Sequence, residues 1–357
     1  MSSTEYQVDR RELHFVVNET LQAGKLCEFP DFAEFDEEMF TMIINEASTF
    51  AEQVLAPLNV NGDRQGCRIE NGTVVTPDGF TDAWKQLGEG GWLSMSLPPE
   101  FGGQGIPELI AVIGKETQLA ANQGFTIGAS LTTGAANLIY TFGSDVQKNE
   151  FCQNMFSGKW AGTMCLTEPH AGSAVGDVIT IATKQEEGHY LIKGTKQFIT
   201  NGDHDMADNI VHLLLARTPN SQQGSKGISL FIVPKKRPDG SQNDITLVSI
   251  EHKMGINGSP TCVLSFGDND DCHGYLLEAE NMGMEQMFKL MNEARLLVGL
   301  QGLAGASAAV QNAWAYANER TQGPSSIHPE KKASIIEFPD VRRMLMHMKA
   351  VTEGLRA

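Results

Sequence analysis

The sequence contains no Cys-x-x-Cys pair; its six cysteines stand alone at Cys27, Cys67, Cys152, Cys165, Cys262 and Cys272, none with a histidine at ligand spacing. That scatter argues against a zinc ribbon or a dithiol redox motif, so no metal site is expected, and isolated thiols suit a reducing, cytoplasmic compartment. Basic residues are also scarce, 27 Lys and Arg against 44 Asp and Glu, for a formal charge of −17. So acidic a chain opposes phosphate backbones and anionic membranes, which argues against a nucleic-acid partner, although a local basic pocket can still hold an anionic ligand. The first fifteen residues mix acids and bases with no apolar core, unlike a signal or transit peptide. The uncharged stretch from Thr117 to Ser144 carries Gln118, Asn122, Gln123 and Asn137, which are costly in hydrocarbon. It reads as a buried helix pair broken near Gly124, and no integral membrane segment is expected.

What is present is an ordinary globular mixture, 41% hydrophobic and 20% charged over 357 residues, enough for two or three domains. Residues 1–160 read as an all-helical domain. Asp36 is placed to cap a helix through Met39, Ile43, Ile44, Ala47 and Phe50 to Val54, with Pro57 just past its end. A second helix is expected from Thr81 to Leu87, stopped by glycines 88, 90 and 91, and Pro107 opens another. Ser144 and Gln147 have the spacing of a capping box for a helix ending near Gly158.

Residues 161–278 change character. Apolar runs at 190–193, 209–215, 227–233, 245–250 and 261–266 are separated by polar, Gly- and Asn-rich turns. Gln197 to Thr200 and Gly227 to Phe231 alternate as strands with one face inside and one outside, predicting an antiparallel β-barrel or sandwich with hairpin connections. From 279 to 357 the helical period returns. A long helix is expected over 282–319, with Gly299, Gly302, Gly305, Ala306 and Ser307 forming a face for close helix packing. A last helix, capped by Asp340, carries Val341, Met344, Leu345, Met348, Val351 and Leu355 and stops at Ala357 without a capping glycine. The expectation from that unmatched stripe is a carboxy-terminally truncated chain with an incomplete helical bundle. The fold class is therefore α+β, with helical, β and helical domains in order.

Two segments of the β region bear on chemistry, Cys165-Leu166-Thr167-Glu168-Pro169-His170-Ala171-Gly172-Ser173 and Lys196-Gln197-Phe198-Ile199-Thr200-Asn201-Gly202. Each alone reads as a strand entering a polar turn. In this order, between two helical regions, they resemble the flavin-binding segments of the acyl-CoA dehydrogenase family. Gly91-Trp92 with Leu97 to Gly105, Lys253-Met254-Gly255 with Ser259-Pro260-Thr261, and Asn292 to Gly299 resemble further family segments along the whole chain. The amino-terminal stretch with Glu52-Gln53-Val54-Leu55-Ala56-Pro57 resembles the larger branch that contains 3-methylmercaptopropionyl-CoA dehydrogenase.

The resemblance implies FAD as cofactor, an acyl-CoA thioester as substrate, an electron-transfer flavoprotein as redox partner and a homodimer or homotetramer. It implies that Cys165, Leu166 and Thr167 meet the pyrimidine edge of the isoalloxazine, that Gly172 lets the main chain approach, and that Ser173 donates to the pyrophosphate. Phe198 and Ile199 would pack by the ring and Thr200 would reach its N5 side. Arg320 and Gln322 would serve the cofactor of a neighbouring subunit; Ser173, Met291, Asn292 and Arg295 would bind substrate. This chain has Ala174 where the family commonly has aspartate. It also has Ala294 where a minority of members carry the catalytic glutamate, so the base is expected beyond Ala357. An alternative is a flavin- and acyl-CoA-binding subunit or fragment with no activity of its own, for want of that glutamate.

Overall fold

The computed structural model describes residues 6–325 and 330–357. The chain order of elements is α1 (Arg10–His14), α2 (Glu37–Phe50), α3 (Ala56–Gln65), β1 (Arg68–Glu70), β2 (Thr73–Val75), α4 (Phe80–Glu89), α5 (Glu108–Ala121), α6 (Gln123–Phe142) and α7 (Asp145–Phe156). Then come β3 (Trp160–Cys165), β4 (Ile181–Lys184), β5 (Tyr190–Thr200), β6 (Asn209–Arg217), β7 (Ile228–Pro234), β8 (Ile245–Ile250), β9 (Thr261–Phe266) and β10 (His273–Leu276). Last are α8 (Gly283–Glu319), β11 (Thr321–Pro324), β12 (Lys332–Ser334) and α9 (Pro339–Arg356). Two compact units result, a helical one from residues 1–57, 106–123 and 296–357, and a β-rich one from 58–105 and 124–295.

In the helical unit the Asp36 carboxylate accepts the Met39 N–H at 2.7 Å, the expected cap of α2, and Phe40, Ile44 and Ala47 are buried below it. Pro57 does not end the helix. Residues 51–55 wind as a wider π turn, in which the Ala56 N–H reaches back five residues to the Ala51 carbonyl. The wider turn relieves the clash of the Pro57 ring, and the helix resumes as α3. The uncharged stretch breaks at Asn122, two residues before Gly124, because Asn122 leaves the helical region at ψ 88. Arg356 of α9 lies across the buried Glu116 of α5, at 2.7 Å. Helix α9 starts on Pro339 with Phe338 as its cap, so Asp340 sits in the first turn rather than at the cap. Among the described residues none approaches within 4 Å of the space a Cβ would take at Gly299, Gly302 or Gly305, so the close contact expected at these glycines is not made there, whereas Ser307 of the same stretch is buried and accepts from Arg356 at 3.3 Å. No described helix is long and apolar enough to cross a membrane.

The β-rich unit closes on itself. Its sheet runs β10-β7-β6-β4-β5-β9-β8, and β10 pairs with β5 as well as β7, joining the first five strands into a barrel. The pairing is not wholly antiparallel, as had been expected, because β3 runs parallel to β6 from Trp160↔Asn209 to Cys165↔Leu214. Strands β4 and β10 are only four residues long, and neither they nor β3 show a clear alternation. Strand β7 also departs from inside–outside alternation, since all seven residues are buried. Ile228, Leu230 and Ile232 face one core with Leu138, Phe151 and Phe156, while Phe231 and Val233 face a second with Tyr190, Leu264 and Phe266. A strand covered on both faces loses its polar positions. Gly162 of β3 is required by contact, for a Cβ there would stand 2.6 Å from the Met155 methyl and 2.8 Å from that of Ala135. The Ser144–Gln147 capping box opens α7 as expected.

Two histidines lie inside this unit. His204 accepts the Met206 N–H at 3.2 Å and lies against Trp84, and its Nε2 is unpartnered. Neither ring nitrogen of His212 has a hydrogen-bond partner among the described residues. Burial, then the Lys235 ammonium, pushes both imidazoles down to about 3, so they are neutral.

Candidate functional site

Strand β3 delivers the chain to Leu166 and Thr167, and β5 delivers it to Phe198. Between Lys196↔Leu264 and Ile199↔Cys262, two residues of β5, Gln197 and Phe198, oppose the single Val263 of β9. This is a β-bulge, and it puts Phe198 at φ 60 with 57% of its surface exposed, between the buried Lys196 and Ile199. A bulky side chain at positive φ costs roughly 1–2 kcal/mol, so the surrounding structure must enforce it. The two segments singled out in the sequence meet here. The Gln197 N–H donates to the Thr167 carbonyl at 2.9 Å, and the Thr163 hydroxyl donates to the Thr200 carbonyl at 2.7 Å.

Beneath them lies a buried ion pair that sequence reasoning missed. The Lys196 ammonium donates to the Glu168 carboxylate at 2.8 Å and to the Leu166 carbonyl at 3.0 Å. Side-chain exposures are 0% and 1% for Lys196 and Glu168. Glu168 also accepts from the Ile179 N–H at 2.8 Å, the Thr180 N–H at 3.1 Å and the Thr180 hydroxyl at 2.6 Å, closing the loop between β3 and β4. Burial alone would raise the carboxyl. The Lys196 charge, the Ile179 N–H and the Thr180 hydroxyl outweigh it, and Glu168 titrates below the usual carboxylate range. Lys196 is lowered by its own burial, against the pull of Glu168. The available signal was a lysine inside an otherwise strand-like run and a glutamate before Pro169. Neither residue type at those positions announces burial.

The other residues read from the sequence fall in several settings. Cys165 and Ile199 are wholly buried in their strands, paired with Leu214 and Cys262, and burial pushes the Cys165 thiol up; the expected cofactor contacts from these two residues are therefore not open to a ligand. Leu166 is half-buried against the core, Thr167 and Thr200 are half-buried, and Gly172 and Ser173 are exposed. A Cβ on Gly172 would meet nothing within 4 Å, leaving open space over that turn. Met291 and Ala294, on the first part of α8, pack on the same unit's core. Asn292 and Arg295 are exposed and bonded to each other at 2.8 Å. Glu293 turns toward Asn137 of α6, at 3.5 Å. Arg320 and Gln322 are exposed and belong to the helical unit. His170 is exposed in the turn, its Nε2 3.2 Å from the Asp177 carbonyl. No group of three or more His, Cys, Asp or Glu among the described residues could hold a metal.

Comparison with known proteins adds independent findings. Residues 37–159 match the acyl-CoA dehydrogenase N-terminal domain, 163–269 the middle domain and 281–357 the C-terminal domain. The 3-methylmercaptopropionyl-CoA dehydrogenase of Ruegeria pomeroyi is 41% identical over 99% of this chain and 60% of its own length. A structure from work on the electron transferring flavoprotein of Acidaminococcus fermentans superposes with a TM-score of 0.75 at 30% identity, over 90% of this chain and 76% of that one. An acyl-CoA dehydrogenase of Bacillus anthracis, solved with FAD, gives a TM-score of 0.73 at 27% identity, over 91% of this chain and 50% of that one. The chain spans 60% or 61% of the length of the first curated relatives it matches.

Proposed function

We propose for this chain, which belongs to the acyl-CoA dehydrogenase family, FAD-dependent α,β-dehydrogenation of an acyl-CoA thioester to the 2-enoyl-CoA, with electrons passed to an electron-transfer flavoprotein. The observation that carries this reading is the bond from Gln197 to Thr167, which joins the turn of residues 166–173 to the Phe198 bulge. Open space over Gly172, an aromatic ring exposed on strained backbone and a nearby peptide donor are what a flat ring with a polar edge requires. When bound, FAD supplies a two-electron acceptor for hydrogen leaving the β-carbon. Thr167, with main-chain help from Leu166, would hold the polar edge of the ring, where negative charge grows on reduction. Ser173 would hold the pyrophosphate, Phe198 would cover the ring, and Thr200 would contribute beside it.

Met291, Asn292, Arg295 and Ser173 bind the acyl-CoA. Arg320 and Gln322 complete the cofactor site of a second copy in a homodimer or homotetramer, in the cytoplasm. The domain division under this reading is 1–160, 161–278 and 279–357. Titrating purified chain with FAD and then adding acyl-CoA and a dye acceptor tests the reading. Expected are bound, fluorescence-quenched flavin and its loss in F198A with T167A. A chain that takes up no FAD defeats it.

A second reading rests on Ala294 and Glu293. Ala294 cannot abstract a proton, and Glu293 is engaged toward Asn137. On this reading the chain binds flavin and acyl-CoA without turning over alone. Dye reduction by the purified chain alone would remove it; dye reduction that needs an added polypeptide would favour it.

A further inference from the structure

A buried ammonium–carboxylate pair is an expensive way to hold a fold, because apolar replacements are often neutral or stabilising. The Lys196–Glu168 pair has a more particular geometry. Lys196 takes the Leu166 carbonyl inward at 3.0 Å. That carbonyl belongs to the Leu166–Thr167 peptide, which is planar and trans, so the N–H of the same group, on Thr167, points the opposite way, away from Lys196. On the next residues, the Thr167 carbonyl is taken by Gln197 and the Glu168 N–H by the Ala171 carbonyl at 3.0 Å. Glu168 meanwhile closes the loop through Ile179 and Thr180. One fully buried cation thus sets the direction of one peptide beside the bulge that carries Phe198.

We infer that Glu168 and Lys196 are positioning residues, whose task is to turn the Leu166–Thr167 peptide so that the Thr167 N–H faces outward as a fixed donor. The cofactor part of this inference rests on the flavin reading above; the backbone part does not. The single variant K196M leaves a buried, unpaired carboxylate and is expected to unfold part of the β-rich unit. The deciding variant is therefore K196M/E168Q, which removes both charges.

Two measurements on the full chain decide it. Without flavin, amide hydrogen exchange at Gln197 is expected to speed up about tenfold or more in the double variant, while β6 and β7 keep wild-type protection. With flavin, FAD affinity is expected to fall about tenfold or more and the flavin midpoint potential to move negative, because the donor that favours the reduced ring is no longer aimed. A merely structural pair would leave the potential unchanged once the double variant has refolded. Wild-type exchange at Gln197, or wild-type affinity and potential in the folded double variant, overturns the inference. If the wild-type chain binds no FAD, the flavin reading falls, and Gln197 exchange still decides for or against the positioning role.

Discussion

Strand β7 of the β-rich unit buries all seven of its residues, whereas α9 of the helical unit buries two of eighteen, Leu345 and Thr352. The first part of the helical unit's share of α8 is similarly open, with Leu296 at 78% and Val298 at 62% exposure. The same residue types therefore carry different weight in the two units. In β7 an apolar side chain touches neighbours on all sides, and its removal leaves a void. On the outer side of α9 it touches water.

That contrast can be broken by measurement. The largest effect is expected for F231A, because Phe231 is wholly buried and an aromatic truncation of this kind costs about 3–5 kcal/mol. Denaturant unfolding monitored in the β-rich unit measures it; a loss under 1 kcal/mol would mean that the core collapses around the gap. Acid comes next. His204 and His212 are held at about 3 in the fold against an ordinary 6.5, so the unfolded chain takes up protons that the folded chain refuses. Stability is thus fullest above pH 6.5 and falls as pH drops toward 3. From pH 7 to pH 5 the loss is about 2 kcal/mol for each histidine. H212L, which removes two unpartnered nitrogens, should flatten that pH dependence by one histidine's share; an unchanged slope would refute the assignment. The smallest effect belongs to L355S on α9, where Leu355 is 64% exposed. A change within about 0.5 kcal/mol is expected. A loss above 1 kcal/mol would reveal that this face is covered in solution and would sharpen the contrast into one between a core and an interface.

Local signals were legible in the sequence. The Asp36 cap and the Ser144–Gln147 box depend on residues three apart, and both formed. The long helix from Gly283 to Glu319 followed from uninterrupted composition. What escaped depended on distant partners. The double burial of β7 needs helices from one side and strands from the other, the β5 bulge is defined only against β9, and the π turn before Pro57 answers a steric clash that periodicity does not encode. The same holds at the site. Gly172, Ser173 and Phe198 were reached through the resemblance of their two segments, whereas Lys196 and Glu168 were given no role, because their burial arises from packing across three chain segments.

The parallel pairing of β3 with β6 also fixes an order of events. Trp160–Cys165 cannot enter the sheet until Asn209–Leu214 exists to receive it, and everything between must first be made and folded aside. During synthesis the stretch that ends in Thr167 emerges early and waits, its loop closure among the slower kind because the contact is non-local. The turn proposed to hold the cofactor thus hangs on a strand whose place in the sheet depends on a partner about fifty residues further along the chain.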